Sequence, residues 1–430
     1  MQEIGIGLFG LGTVGSGVVK ILHDNADQIT KRTGSHLVVK HAVVKNVTKD
    51  RGLPKTFTVS DQAEDILTNP EIAIVVEVMG GKEAAYNVIE QALRHKKHVI
   101  TANKDLMATR GQELIKLAAD NGVSLYYEAA VAGGIPILRT LVHSFTADEI
   151  TKVTGIINGT SNFILTKMAQ DGMSYPAALQ LAQELGFAEA DPTNDVGGMD
   201  AAYKLIILAN FAFGAQPAMH DVAVRGITEI SADDMADAAR FGYTIKLLGI
   251  ARKVGEQNAN LRLEVAPMLV KSTHSLANIH NENNAILVKG EAVGEVLLAG
   301  PGAGELPTAN SVLSDLTSVA RDMTLGVPSR PFNSFNQNLK IATPEQQIGR
   351  RFIVLKVADV SGAIYQITGM FAHAKISFTD LSQTPAVNDI ARLTILTHPA
   401  SDAQLSAVTE LIKAAEGVEL VSEYKILQED

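Results

Sequence analysis

Between Gly186 and Asn210 the chain runs GFAEADPTNDVGGMDAAYKLIILAN. Three carboxylates, Glu189, Asp191 and Asp195, stand in a Pro/Gly-broken segment; the pattern then turns helical, with Asp200 and Lys204 four residues apart on one face. Leu205 to Leu208 follow as an apolar run, so Lys204 stands at the edge of a surface that excludes water. Desolvation is one of the effects that tune a lysine for acid/base work. An isolated Asp/Lys pair at this spacing also fits an ordinary surface ion pair. The acid-rich loop just ahead favours chemistry, because a surface pair has no need of it.

A second set of residues points to a nucleotide. Ile4 to Phe9 is an apolar run leading into Gly10-Leu11-Gly12-Thr13-Val14-Gly15, a G-x-G-x-x-G pattern. Its glycines serve a tight turn, close backbone approach to a pyrophosphate and helix packing, and Val14 to Leu22 continue with helical spacing. At the end of the next strand, Leu37 to Lys45, the acid that usually meets an adenosine ribose is missing. Lys45, Lys49 and Arg51 stand there instead, with Asp50 placed in the following loop, which favours NADP over NAD. Lys45 equally fits a solvated residue at a strand end.

These groups need a scaffold that brings strand ends together. Ile72 to Met79 reads as a third strand ending at Met79-Gly80-Gly81, and His98 to Thr101 as a fourth ending at Ala102-Asn103-Lys104. Helices between them imply a Rossmann-type doubly wound parallel sheet, α/β in class, with ligands bound beyond the carboxyl ends of the strands. Met79, Gly80 and Lys104 lie at such ends, Lys104 also fitting a solvated loop residue. Ser124 to Ala130 reads as a further strand; beyond it Glu128 and the Val131–Pro136 turn offer a carboxylate and accessible carbonyls to a hard monovalent cation, or simply a tight turn.

From about His143 the pattern changes to helices and alternating segments, the mark of an α+β domain with an open sheet. The loop Gly300 to Thr308, with Gly302 open to a phosphate or a close backbone, precedes a helix at about 305–325 that completes the first domain. The expected divisions are a dinucleotide-binding domain at 1–135, a catalytic and dimerisation domain at 136–304, a linker at 327–347 and a tail at 350–430. The tail spells strand, helix, strand, strand, helix, strand, a ferredoxin-like module.

At 430 residues the chain exceeds one ordinary core. A net charge of -10 and the lack of a basic run argue against a nucleic-acid surface, and no apolar run is long enough for a membrane span. With no cysteine, thiolate catalysis is excluded, and the eleven histidines lack metal-ligand spacing. A cytoplasmic enzyme acting on a small molecule is expected.

Taken together, GLFGLGTVGSG, the TANK of residues 101–104, EAAVAGGIPI from Glu128, GIINGTSNFIL from Gly155, FAEADPTNDVGGMDAAYKL and NAILVKGEAVGEVLLAGPGAGELPTANSV resemble the homoserine dehydrogenase family along nearly the whole chain. The tail resembles an ACT domain. The resemblance implies reversible NAD(P)H-dependent reduction of L-aspartate 4-semialdehyde to L-homoserine, on the route to threonine and methionine. It implies Lys204 as proton donor, Asp200 as its aid, and Lys104 between cofactor and substrate. Glu189, Asp195, Gly159 and Thr160 fall to the substrate, and Gly10 to Gly15, Lys45, Met79, Gly80, Lys104 and Gly302 to the cofactor. Glu128, Val131, Gly133 and Ile135 correspond to a sodium site. A homodimer or larger homo-oligomer is expected, and the tail either binds an amino-acid effector such as threonine or only extends the dimer interface. The turn Asp359 to Ala363 lacks the proline usual in ACT domains. If the tail is regulatory, a chain cut after about Gln347 is expected to stay active and to lose inhibition by threonine. The rival readings are an NADP-linked oxidoreductase for another small amino or oxo acid, and a nucleotide sensor without chemistry.

Overall fold

The apolar runs of the first 130 residues become strands that are buried on both faces, as a parallel sheet requires. In the computed structural model, residues 2–386 and 388–428 are described; Met1, Val387, Glu429 and Asp430, which fall in the expected first and last domains, lie outside them. The chain forms two compact units. One comprises Met1–Gly159, Met199–Val222 and Glu282–Asn338; the other comprises Thr160–Gly198, Ala223–Asn281 and Leu339–Asp430.

The first unit holds six strands, β1 (Gln2–Phe9), β2 (Ser35–Val43), β3 (Thr58–Ser60), β4 (Ile72–Glu77), β5 (His98–Thr101) and β6 (Leu125–Tyr126). They pair in parallel in the order β3-β2-β1-β4-β5-β6, the doubly wound arrangement whose order reverses beside β1. Helix Glu305–Leu325 packs Ala309, Val312, Leu316 and Val319 into the core formed by β1 and helix Thr13–Asp24, although about 280 residues of chain separate the two helices. The crossing is close: a Cβ on Gly17 would stand 2.7 Å from the Glu305 carbonyl oxygen. Strand Ile150–Ile156 and the hairpin of Asn283–Gly290 and Gly294–Pro301 add a three-stranded antiparallel sheet to this unit.

One expectation changes here. Ser124 to Ala130 is extended only over Leu125–Tyr126, and Glu128–Ala130 winds into a turn of 3-10 helix. Long-range partners bend it: the Glu128 amide donates to Asp315 Oδ2 (2.8 Å), and its carboxylate accepts the Leu138 and Arg139 amides (2.9 and 2.7 Å). Within the stretch expected as a linker, which is mostly exposed, Phe332 is buried. Phe332 stacks on Tyr126 at 4.6 Å and meets Phe211 edge-on.

In the second unit, Tyr243–Val254 and Asn260–Lys271 form a long antiparallel hairpin. The tail runs Ile348–Ala358, helix Ala363–His373, Phe378–Gln383, Ile390–Thr397, helix Asp402–Ala414 and Val418–Ile426. Its last strand lies beside its first, then its third, then its second, which is the ferredoxin-like order around a core of its own. The last strand also pairs with the hairpin at Met268–Lys425 and Leu269–Ile426.

Candidate active site

The glycine loop leaves β1 at the point where the strand order reverses. Gly10 takes φ +104°, and a Cβ on Gly15 would fall 2.1 Å from the Gly10 carbonyl oxygen, so only glycines close this turn. Nothing stands within 4 Å of the place where a Gly12 side chain would project, which leaves the backbone open to a bulky anion at the start of helix Thr13–Asp24. Leu11 is buried, whereas Gly12 and Thr13 are exposed and Val14 lies half-buried. Gly10 packs against the Val78–Met79 backbone, so the first glycine and the turn after β4 share one rim.

Lys45 is exposed at the end of the β2 segment. Asp50 accepts the Gly52 amide (3.0 Å) within its own loop, while Arg51 donates Nε to the Leu11 carbonyl (3.1 Å) and Nη2 to that of Asn46 (2.9 Å). A cation rather than an acid therefore borders the glycine loop.

Helix Met199–Phe213 is apolar on most sides and buried, and its first turn carries Asp200. Asp200 Oδ2 accepts from Lys204 Nζ (2.7 Å) and from Asn158 Nδ2 (2.8 Å), and Oδ1 lies 3.2 Å from Lys104 Nζ. Lys204 Nζ also donates to the Ile157 carbonyl (2.7 Å), and Lys104 lies 3.2 Å from Asp105. Burial opposes charge on Asp200, but Lys204 and Lys104 outweigh it and hold its pKa below the ordinary value. For Lys104 burial again opposes charge, and the Asp200 and Asp105 carboxylates overcome it to raise the pKa. The cluster is two ammonium groups around one buried carboxylate, with the more exposed Asp105 at its edge. It suits an oxygen on which negative charge develops.

Glu128 is fully buried beside Asp315, with Arg139 as the single guanidinium between them: Nη2 donates to Asp315, and Nε stands 4.0 Å from Glu128. Burial, with the neighbouring carboxylate, pushes Glu128 up to about 8; burial pushes Asp315 up to about 7. With both carboxyl groups ionised, the one guanidinium leaves this pocket one positive charge short. The adjoining turn holds Ala132 and Gly133 at positive φ, with Gly133 tight against the Gly302 carbonyl. Its carbonyls are engaged in part: Ser311 Oγ donates to Gly133 (2.6 Å) and the Ile137 amide to Ile135 (2.8 Å). Each such oxygen keeps a second lone pair, so the donor set of Glu128, Val131, Gly133 and Ile135 fits a monovalent cation.

Comparison with known proteins decides the family. A family model for "Homoserine dehydrogenase, NAD binding domain" matches residues 10–128, and one for "Homoserine dehydrogenase" matches residues 136–317. The homoserine dehydrogenase of Bacillus subtilis (strain 168) is 43% identical over 431 residues, 99% of either chain. The chain belongs to the homoserine dehydrogenase family. A solved homoserine dehydrogenase from Thiobacillus denitrificans is similar at a TM-score of 0.94 and 37% identity, with 99% of each chain covered. A hyperthermophilic archaeal homoserine dehydrogenase, solved in complex with NADPH, is similar at 0.63 and 26% identity over 76% of this chain and 98% of its own.

Of the residues singled out for a homoserine dehydrogenase, the first unit brings Lys104, Asp200 and Lys204 into direct contact and places Gly10 beside Met79. Gly302 packs against Gly133 and Asn284. In the second unit, Thr160 Oγ1 donates to the Phe187 carbonyl (2.6 Å), so it is tied to the acidic loop, and Ser161 Oγ donates to the Asp195 carbonyl (2.9 Å). Glu189 is exposed, with Gln183 donating to its carbonyl. Asn158 and Glu77 were missed from sequence. Asn158 lies inside the GIINGTSN motif, and Glu77 is an acid at the end of the apolar run IAIVVE, an unusual place for a charge.

Proposed function

We propose that this homoserine dehydrogenase catalyses the reversible NAD(P)H-dependent reduction of L-aspartate 4-semialdehyde to L-homoserine, with Lys204 as the proton donor. The observation that carries the residue assignment is the Lys104–Asp200–Lys204 cluster. NADPH, when bound, supplies the hydride that reaches the aldehyde carbon. Lys204 gives its proton to the carbonyl oxygen as charge builds there, and Asp200 keeps the ammonium oriented and the lysine charged until that moment. In the oxidative direction the neutral lysine takes the hydroxyl proton. Lys104, the more exposed of the two lysines, faces the space shared by cofactor and substrate and steadies the oxygen. Glu189 and Asp195, with Gly159 and Thr160, hold the substrate's ammonium end.

The preference is for NADP: Lys45, with Arg51 beside the glycine loop, meets the 2′-phosphate, and Asp50 is engaged elsewhere. A sodium ion at Glu128 supplies the positive charge that the Glu128/Asp315/Arg139 pocket lacks. The enzyme is cytoplasmic and works as a homodimer or larger homo-oligomer. Its tail acts as an ACT module that binds an amino-acid effector at the Asp359–Ala363 turn; Val360 within the turn and Ile364 and Tyr365 just after it are exposed. The turn has serine where an ACT domain usually has proline, which leaves the pocket looser.

The deciding assay follows nicotinamide absorbance with purified protein, L-homoserine and NADP⁺ or NAD⁺. Reduction of neither cofactor refutes the activity. Faster turnover with malate, aspartate or glutamate shifts the substrate to another small acid.

A further inference from the structure

Glu77 is a buried carboxylate that the chemistry above does not use. It ends β4, pairs in register with Thr101 at the end of β5, and has no exposed surface. Among the described residues no cation compensates it; burial raises its pKa against hydrogen bonds from Thr101, Met79 and Gly80. An uncompensated carboxylate at such a position is costly, and an apolar residue would suit the strand better.

Its contacts explain the position. Oε1 accepts the Met79 amide (2.8 Å) and Oε2 accepts Thr101 Oγ1 (2.6 Å). Thr101 Oγ1 in turn accepts the Asn103 amide (3.0 Å). Asn103 Oδ1 accepts the Leu106 amide (3.1 Å), capping the helix Lys104–Asn121, and its Nδ2 donates to the Gly81 carbonyl (2.7 Å). The hydrogen bonds close into a ring. One arm shapes the Met79–Gly81 turn, whose Gly80 and Gly81 both sit at positive φ; the other fixes the first turn of the helix that begins at Lys104.

We propose that Glu77 is a positioning residue that sets the cofactor turn and the Lys104 helix in one fixed relation. This rests on the cofactor role of Met79 and Gly80 and on the role of Lys104 given above. A carboxylate is required because both of its oxygens must accept at once. A carboxamide in its place keeps one acceptor, for the Met79 amide, and turns an N–H₂ towards Thr101, so the Thr101 O–H loses its buried acceptor and the hydroxyl that receives the Asn103 amide is no longer anchored, while the turn holds.

The test compares Glu77→Gln, Thr101→Val and Glu77→Ala by three readouts: NADPH Kd from fluorescence titration without turnover, kcat for homoserine oxidation, and Tm. Glu77→Gln and Thr101→Val lower kcat by about tenfold to a hundredfold, the usual effect of losing support behind a functional group, and leave Kd within about threefold. Glu77→Ala adds a rise in Kd of about tenfold or more, because the Met79 amide also loses its acceptor. Should Glu77→Ala not fold, the other two variants decide. The proposal is overturned if either of them keeps kcat within twofold of wild type, or if Thr101→Val raises Kd as much as it lowers kcat. Wild-type turnover reports separately on the activity itself.

Discussion

Lys204 has three N–H bonds, and two are committed, to Asp200 and to the Ile157 carbonyl. The third is left for substrate oxygen. Lys204→Met is expected to lower kcat by about 10²- to 10⁴-fold, the usual range for a lost general acid, with NADPH Kd little changed. Lys204→Arg should rescue little, since a guanidinium does not give up a proton at working pH; near wild-type turnover in either variant would move the donor role to Lys104 or to water. Asn158 invites a different measurement. Its N–H stabilises the ionised Asp200 and draws charge from the oxygen that also holds Lys204. Asn158→Ala removes one of the groups that hold the Asp200 carboxylate below its ordinary pKa, so Asp200 takes up its proton at higher pH and the acid limb of the kcat profile should move up. A loss of kcat at every pH with no movement of that limb would make Asn158 merely structural. That Asp200, Lys204 and Lys104 are candidates was legible, because they are charged residues in tell-tale places. Asn158 was not, since a neutral amide in a turn shows its purpose only when its partner, forty-two residues later in sequence, is seen beside it.

Strands β1, β4 and β5 were legible as elements because each is an apolar run ending in glycine or a helix start, and that pattern is local; the short, largely exposed β3 carries no such run and was not expected. Glu128 broke another expected strand. Nothing near Ser124–Ala130 announces that Asp315, Leu138 and Arg139 will bend the backbone, so the strand was expected to continue. The consequence for function is testable: if the pocket around Glu128 is one positive charge short, sodium should raise the Tm of the wild type above that seen with a bulky organic cation at equal ionic strength. Glu128→Gln should abolish that difference, and an equal response in both proteins would remove the ion from this turn. At the other end of the sheet, Lys45 is exposed where β2 ends. Lys45→Ala should raise NADPH Kd by about tenfold and NADH Kd by much less, since a charge-assisted contact to the 2′-phosphate is absent from NADH. Equal losses would place the ribose site elsewhere.

For the whole chain, the pattern of the tail was plain from sequence, but its attachment was not. A Pro- and Asn-rich stretch before residue 348 suggested a module that could be cut away with activity intact. The structure changes that expectation. Within the second unit, the last strand of the tail pairs with Asn260–Lys271, Lys425 pairs with buried Glu264, and Arg351 bridges Asp402 and Glu423. Arg392 reaches buried Asp237, and Lys340–Ile341 pairs with the same hairpin. Cutting after Gln347 would take Lys425 from Glu264 and Arg392 from Asp237, leaving each buried carboxylate with one arginine, Arg262 and Arg240, and would expose Met268 and Leu269 along an unpaired strand edge. Breaking a buried ion pair from one side costs up to about 3–5 kcal/mol where no other partner remains, so losing one of two partners at two sites is a large fraction of the stability of a typical domain. We therefore expect the truncated protein to aggregate, or to melt well below the full-length chain, as read by circular dichroism and gel filtration. Control by an effector must then be tested in the full-length enzyme with millimolar threonine, and by substitution within Asp359–Ala363. A truncated chain that is monodisperse, melts within a few degrees of the parent and keeps its turnover would show that these pairs contribute little and that the tail is a separable module after all.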